Sequence, residues 1–363
     1  MDASGSTGTD AVGLTDAVGD AMGFVGAGAV GGTLARALAA RGARVAVITS
    51  RGPARAEPLA ASLPGCVYQP DPAAAIAAVG IVWLAVPDDA IAMLDAALPW
   101  QAGQIVLHLS GARGVDALAR AAACGARVGA LHPLMTFSAE PVLVGTDAVP
   151  EVAGIPGAGA ALARLAGCAW ALEAADEALA VKLEGIVRLL GGYPIRIGTA
   201  DRVPYHIAAV LASNYVVALL GAAIALWESF GVASDTARDA LLPLVRASVE
   251  SVARVGPSRA LTGPVARGDA GTLATHMRWL TTWAARAMAE RGDAESPDEG
   301  SSGDANRGDT AIDPAALLAA YRDLARLAIP LARGRLSPEA ASALRAALGD
   351  GGANEGGEEH GGA

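Results

Sequence analysis

The chain has 363 residues, 53% of them hydrophobic, 4% aromatic and 18% charged, with 45 glycines and 20 prolines. That composition excludes a fully disordered chain and a coiled coil, and the length is enough for two or three domains with their own cores. The formal charge of -10 is concentrated at residues 1–22, 290–313 and 349–363, which together carry -14 and leave a body of +4; such a body suits small anionic ligands and is too weakly basic for nucleic acid.

Residues 1–21, rich in Gly, Ser, Thr, Asp and Ala, predict a disordered tail and lack the basic start of a secretion signal. From Met22 onward short apolar runs alternate with alanine-rich helical stretches. Strands are predicted at 23–25, 45–49, 81–86, 105–109 and 128–131, with helices at 30–41, 73–78, 90–98 and 114–123. Alternation of this kind makes an α/β domain, a doubly wound parallel sheet with helices on both faces. It spans 22–198, with a loop-like insertion at about 140–165 and a helix at 174–190.

No strand signal follows. Asp201 is placed to cap a helix with Pro204 in its first turn, running to about Phe230. Further helices at roughly 234–255, 270–290, 313–333 and 337–348 make an all-α domain over 199–348. An acidic low-complexity linker at 291–312 interrupts it, and 349–363 reads as a second disordered tail. Residues 207–227 are uncharged for 21 residues, long enough to span a bilayer. The polar Ser213, Asn214 and Tyr215 at the middle assign this stretch as a buried core helix of a soluble protein, with no membrane role.

The sharpest motif is GFVGAGAVGGTLARAL, in which Gly26, Gly28 and Gly31 fit G-x-G-x-x-G. It follows a strand and opens a helix, so the glycines allow a tight turn and close approach of a pyrophosphate to the helix N-terminus. Gly26, Ala27, Gly28, Ala29, Val30 and Gly31 are therefore candidate cofactor contacts, joined by Val86 and Pro87 after the 81–86 strand. At the end of the second strand an acidic residue would grip the ribose of NAD; this chain has Thr49, Ser50 and Arg51, with Arg55 close behind. Hydroxyls with arginine suit a 2′-phosphate, which favours NADP.

Cys66, Cys124 and Cys168 are scattered and odd in number, which excludes a disulfide scaffold and a zinc site and fits a reducing, cytoplasmic compartment. The histidines also lack metal-ligand spacing, so no metal is expected. His108 reads as a packed core histidine. His132 lies at a strand C-terminus, where ligands of open α/β sheets bind. In DRVPYHIAAVLASNYVVAL, Ser213 falls on nearly the same helix face as His206, and Asn214 lies about 80° round. In LTGPVARGD, Arg267 and Asp269 stand at a helix start, with Asp269 as a cap. Hydride transfer to a carbonyl needs a proton donor, a polarising dipole and a charge anchor. His206 or His132 could donate, Asn214 or Ser110 polarise, and Arg267 or Arg202 hold a carboxylate.

The segments GFVGAGAVGGTLARAL, VWLAVPDDAI, HLSGA, ALHPLMTFS, YHIAAVLASNYVVAL and LTGPVARGD occur in the order seen in the Rossmann-like, domain of unknown function 2520 family. The resemblance covers roughly residues 22–290 and 313–333. That family sits with the 6-phosphogluconate dehydrogenase-like reductases, beside pyrroline-5-carboxylate reductase, ketopantoate reductase and prephenate dehydrogenase. The resemblance implies an N-terminal NADP domain, a helical C-terminal domain that often dimerises, and an active site in the cleft between them. His132-Pro133 resembles the His-Pro of prephenate dehydrogenases. Arg202 stands where relatives usually carry a lysine; arginine keeps its proton near neutral pH, which shifts the acid role toward His206.

The expected protein is a cytoplasmic NADPH-dependent oxidoreductase, homodimeric through its helical domain, that reduces a small anionic carbonyl compound in the manner of a ketopantoate reductase. The alternatives are an imine reductase of the pyrroline-5-carboxylate type, a prephenate-type dehydrogenase, and a non-catalytic NADP sensor or scaffold.

Overall fold

The computed structural model describes residues 19–137, 152, 154–294 and 312–350. Most of the expected tails, the first part of the expected insertion and most of the acidic linker lie outside the described residues. The chain divides into two compact units, Met1–Ser213 and Asn214–Ala363, whereas the sequence places the boundary at 198/199.

The first unit runs β1 (Met22–Val25), α1 (Ala29–Ala40), β2 (Val45–Thr49), α2 (Pro53–Ala61), β3 (Val67–Tyr68), α3 (Pro72–Ala77), β4 (Ile81–Leu84), α4 (Asp88–Ala97), β5 (Ile105–His108), α5 (Ala119–Ala123), β6 (Arg127–Pro133), α6 (Ala158–Leu165), β7 (Ala169–Ala174), α7 (Glu177–Leu189), β8 (Tyr193–Arg196) and α8 (Arg202–Ala212). The strands form one sheet in the order β3-β2-β1-β4-β5-β6-β7-β8. All neighbours are parallel except β6 and β7, which run antiparallel. Strand order reverses between β1 and β4, and that switch point opens the crevice in which doubly wound sheets bind ligands.

Alternate strand residues feed the two faces. Phe24, Ile81, Trp83, Ile105 and Leu107 join one core layer, while Val25, Val82, Leu84 and Val106 join the other. This is the period-two alternation of a sheet covered on both sides. Phe24 stacks on Trp83 across β1 and β4, ring centroids 5.9 Å apart.

Three strands escape the sequence pattern. β3 has two residues, the alanine-rich AWALEA of β7 carries no clear strand period, and β8 holds Pro194 in the outermost strand, where a lost ladder hydrogen bond is tolerated. The expected insertion is also corrected at its end, because 158–165 form helix α6 rather than loop. Asp201 precedes α8, yet its side chain makes no cap hydrogen bond; a 3-10 turn over Thr199–Asp201 leads into the helix instead.

The second unit is helical throughout its described residues: α9 (Asn214–Glu228), α10 (Ser234–Val255), α11 (Pro257–Ala260), α12 (Gly263–Arg267), α13 (Ala270–Ala294), α14 (Pro314–Ala332) and α15 (Pro338–Ala347). Asp313 and Ser337 cap α14 and α15 by accepting from the amides of Ala315 and Ala340. Leu273, Met277, Ile329 and Leu344 centre its core.

The expected buried core helix at 207–227 is not found. The chain breaks at Ser213, between α8 and α9. The stretch Thr199–Glu228 has a mean hydropathy of 2.1, long and apolar enough to cross a membrane, yet only 6% of its apolar window is buried.

Candidate functional site

The glycine turn joins β1 to α1. Gly26 has φ +110, and a Cβ there would stand 2.2 Å from the carbonyl oxygen of Ala85. A Cβ on Gly31 would stand 2.7 Å from both the Ala85 Cβ and the Gly26 carbonyl oxygen. Only glycine lets α1 cross so close to the end of β4. Gly28 differs, because a Cβ there meets nothing within 4 Å. It is the N-cap of α1 and makes no side-chain cap hydrogen bond. The amides of Ala29, Val30 and Gly31 thus face an open space at the positive end of a 12-residue helix, which fits the two negative charges of a pyrophosphate. Val86 closes the turn from the β4 side, its Cγ1 lying 3.3 Å from a Cβ built on Gly26. Pro87 caps α4 next to it.

At the end of β2 the Ser50 hydroxyl donates to the Gly52 carbonyl oxygen at 2.6 Å. Arg51 and Arg55 are exposed. Between them stands the N-terminus of α2, where Gly52 caps without a side-chain bond and Pro53 carries no N–H, so that the amides of Ala54 and Arg55 are the first that lack an intrahelical partner. Two guanidiniums around a helix N-terminus fit a phosphate monoester.

A second group lies at the same edge of the sheet, beyond the C-termini of β5 and β6. His108 is fully buried. Its Nε2 donates to the Gly114 carbonyl oxygen at 2.9 Å, and its Nδ1 accepts from the Ser110 amide at 3.3 Å. Both nitrogens are used in shaping the loop, and burial holds its pKa below the usual histidine value, in keeping with the packed role expected. Ser110 is also buried, and its Oγ accepts from the amides of Ala112 and Arg113. The two bonds fix the oxygen in the turn and use its lone pairs, leaving the O–H as the donor that a polarising role needs.

His132, at the end of β6, has its Nδ1 2.7 Å from the hydroxyl of Tyr205 on α8, with the rings edge-on. The His206 ring centroid lies 6.1 Å from that of His132, and His206 Nδ1 is buried without a hydrogen-bond partner. Both rings close on Gly111: a Cβ there would sit 2.6 Å from His206 Nδ1 and 3.0 Å from His132 Nε2. Burial, then the neighbouring His206 and Arg202, push the pKa of His132 down to about 4, so it is neutral near pH 7.

Arg202, a candidate carboxylate anchor, is fully buried and already committed. Its Nε donates to Glu173 at 3.1 Å, and its two terminal nitrogens donate to the carbonyl oxygens of Ser110 at 3.2 Å and Ala130 at 3.3 Å. Glu173 in turn accepts from Thr199. Three of its five N–H donors are spent within the protein and the side chain has no exposed surface, so it serves here as a buried clamp. His206 and Ser213 do not share a face either, since α8 ends at Ala212 and the Ser213 hydroxyl turns back to the Ala209 carbonyl oxygen.

The structure therefore gathers His132, His206 and Ser110 in the first unit. Asn214 and Arg267 belong to the second, where Asn214 opens α9 and Arg267 ends α12. Asp269 caps α13 as expected, accepting from the amide and hydroxyl of Thr272. Sequence reasoning missed Tyr205 and Gly111. The signal for Tyr205 was its place beside His206 on an otherwise apolar helix; for Gly111 there was none, because only tertiary contact reveals what crowds it. Among the described residues no group of three or more His, Cys, Asp or Glu could hold a metal ion.

Residues 21–110 match the family model described as NADP oxidoreductase, coenzyme F420-dependent, and residues 168–294 match the one described as a domain of unknown function, DUF2520. The chain thus matches one model over its glycine turn and the other over β7 to α13. With its glycine turn and NADP oxidoreductase match, it is built as an NADP-dependent oxidoreductase. No curated protein matches the chain in sequence.

Solved structures share its fold. A candidate NADP oxidoreductase from Bacteroides fragilis aligns at TM-score 0.59 and 20% identity, over 85% of this chain and 98% of that one. A Thermotoga maritima protein aligns at 0.55 and 19%, over 86% and 98%. A reductive aminase from Aspergillus terreus, in complex with NADPH and ethyl-5-oxohexanoate, aligns at 0.52 and 18%, over 90% and 98%.

Proposed function

We propose that this protein uses NADPH to reduce the C=O bond of a small carboxylate-bearing substrate, with ketopantoate as the first candidate. The observation that carries the reading is the convergence of His132 and His206 on Gly111, at the sheet edge that also bears the open glycine turn. Bound there, the dinucleotide supplies a hydride. The chain does the rest. The first amides of α1 hold the pyrophosphate, and Ser50, Arg51 and Arg55 face the 2′-phosphate. The histidine pair delivers the proton to the oxygen on which negative charge develops. Asn214 and Arg267 are the candidates for polarising the carbonyl and holding the carboxylate. An imine substrate is the second reading, favoured by the fold shared with a reductive aminase, because the same donors would serve a nitrogen.

The test is NADPH oxidation followed at about 340 nm, with ketopantoate, pyrroline-5-carboxylate and a panel of 2-oxo acids, and NADH in parallel. Ketopantoate turnover is expected, and Arg51→Ala is expected to lower the preference for NADPH over NADH by roughly tenfold or more, the worth of one charge-assisted phosphate contact. The variants His206→Ala, Asn214→Ala and Arg267→Ala should keep NADPH affinity and lose turnover. NADPH binding with no turnover of any substrate would favour the sensor instead.

The exposed apolar side chains of α9 and α10, among them Val217, Leu219, Leu244 and Val249, are best covered by a second copy of the chain, since patches of this kind mark interaction surfaces. Light scattering should then give a mass near twice 36.0 kDa. A 36.0 kDa species would overturn the homodimer, and loss of the protein into detergent micelles would point to a bilayer.

A further inference from the structure

Arg202, Tyr205 and His206 stand at i, i+3 and i+4 on α8 and so share one helix face. That face meets the ends of β5 and β6. Arg202 clamps it there through Glu173 and the carbonyl oxygens of Ser110 and Ala130. The clamp leaves the next two side chains aimed at His132 and Gly111. Tyr205 takes one nitrogen of His132, at 2.7 Å. The other nitrogen, Nε2, stands beside Gly111, as does the buried and partnerless Nδ1 of His206. A buried ring nitrogen without a partner is costly unless a ligand completes it.

We propose that Tyr205 is a positioning residue for this pair: its hydroxyl donates to His132 Nδ1 and holds the imidazole as the Nε2–H tautomer, so that His132 offers the substrate heteroatom a hydrogen bond and leaves proton transfer to His206. The direction of the bond follows from acidity. A phenol is a far better donor than a neutral imidazole N–H, and an imidazole nitrogen is a far better acceptor than a phenol oxygen. Burial acts the same way on both partners. It keeps the phenol protonated, its pKa pushed up to about 12, and keeps the imidazole neutral, its pKa near 4. The groups that bear on His132 are consistent with this: His206, Arg202 and His108 disfavour its charge, and Asp88 alone favours it. The ring nitrogen that carries hydrogen is set by what the other one bonds.

The inference deepens the reductase reading. In the reaction, hydride adds to the carbon, the π pair moves to the heteroatom already bonded to His132 Nε2–H, and that heteroatom takes the proton from His206 Nδ1. The His206 imidazolium leaves the step as neutral imidazole.

Nitrogen-15 NMR of the histidines in the full chain, without cofactor, reads the tautomer directly, with His132→Gln assigning the resonance. Wild type is expected to show His132 neutral with hydrogen on Nε2 from pH 8 down to about pH 5, above its lowered pKa. Tyr205→Phe is expected to yield a mixture with hydrogen on Nδ1. Hydrogen on Nδ1 in wild type, or an unchanged tautomer in Tyr205→Phe, overturns the proposal. In turnover, Tyr205→Phe should lower kcat roughly tenfold, the worth of one hydrogen bond, with KM unchanged. Glutamine at 132 keeps a donor where Nε2–H stands, so in the His132→Gln background Tyr205→Phe should cost nothing further. An equal loss in both backgrounds would show Tyr205 acting on its own and would also overturn it. If wild type turns over no substrate, the reductase reading fails while the tautomer measurement still decides the role of Tyr205.

Discussion

Arg202→Ala is expected to destabilise the first unit by about 3–5 kcal/mol, the usual consequence of removing one partner from a buried ion pair. The guanidinium is fully buried and its Glu173 partner nearly so, with side-chain exposures of 0% and 11%. Deleting it strands a carboxylate in a place with little water and leaves the carbonyl oxygens of Ser110 and Ala130 without their donors. At the scale of a unit of this size the loss corresponds to a melting temperature lower by roughly 10 °C. Denaturant unfolding followed by circular dichroism measures it. Arg202→Lys keeps the charge but cannot span three acceptors with a planar fork, so it should fall between. Replacing both partners, as Arg202→Met with Glu173→Gln, should recover much of the loss, because no buried charge then remains. A wild-type midpoint in Arg202→Ala would show that the clamp is not structural and would return Arg202 to the list of substrate anchors.

The second large effect is on cofactor binding and separates two glycines that look alike in sequence. Gly26→Ala forces a side chain into a left-handed backbone at φ +110 and into the Ala85 carbonyl at 2.2 Å. It should cost about 3 kcal/mol of stability through strain and clash and abolish NADPH binding. Gly28→Ala meets no protein atom within 4 Å, so the variant should fold with wild-type stability. The added methyl nevertheless occupies the space over the first amides of α1, and NADPH affinity should fall roughly a hundredfold, as expected where a backbone must approach a pyrophosphate closely. Calorimetric titration with NADPH, beside a thermal melt of each variant, checks both. Tight NADPH binding by Gly28→Ala would move the pyrophosphate elsewhere.

Much of the cofactor half was legible because its signals are local. A strand buried on both faces must be a short apolar run, as in residues 81–84, and a turn that lets α1 pass β4 must carry glycine at positions 26 and 31. The same holds for α10, whose ends at Ser234 and Val255 coincide with the predicted helix. β7 and β8 were not legible. Alanine-rich AWALEA has no period that tells strand from helix, and β8 is largely exposed and holds Pro194, so it lacks the apolar run that marks a buried strand.

The histidine site divides along the same line. That His132 ends a strand, and that a tyrosine and a histidine stand on an apolar helix, could be read from spacing. That Arg202 is a buried clamp, and that His132 and His206 meet over Gly111, could not be. These facts depend on which residues β6, β7 and α8 bring together, 29 positions apart for Arg202 and Glu173 and more than 70 for His132 and Tyr205 or Arg202 and Ala130. Hydrophobic period and backbone geometry act over a few residues and are written in the order of the chain. The burial of a charge, the tautomer of an imidazole and the crowding of a glycine are set by neighbours distant in sequence, and only the folded chain supplies them.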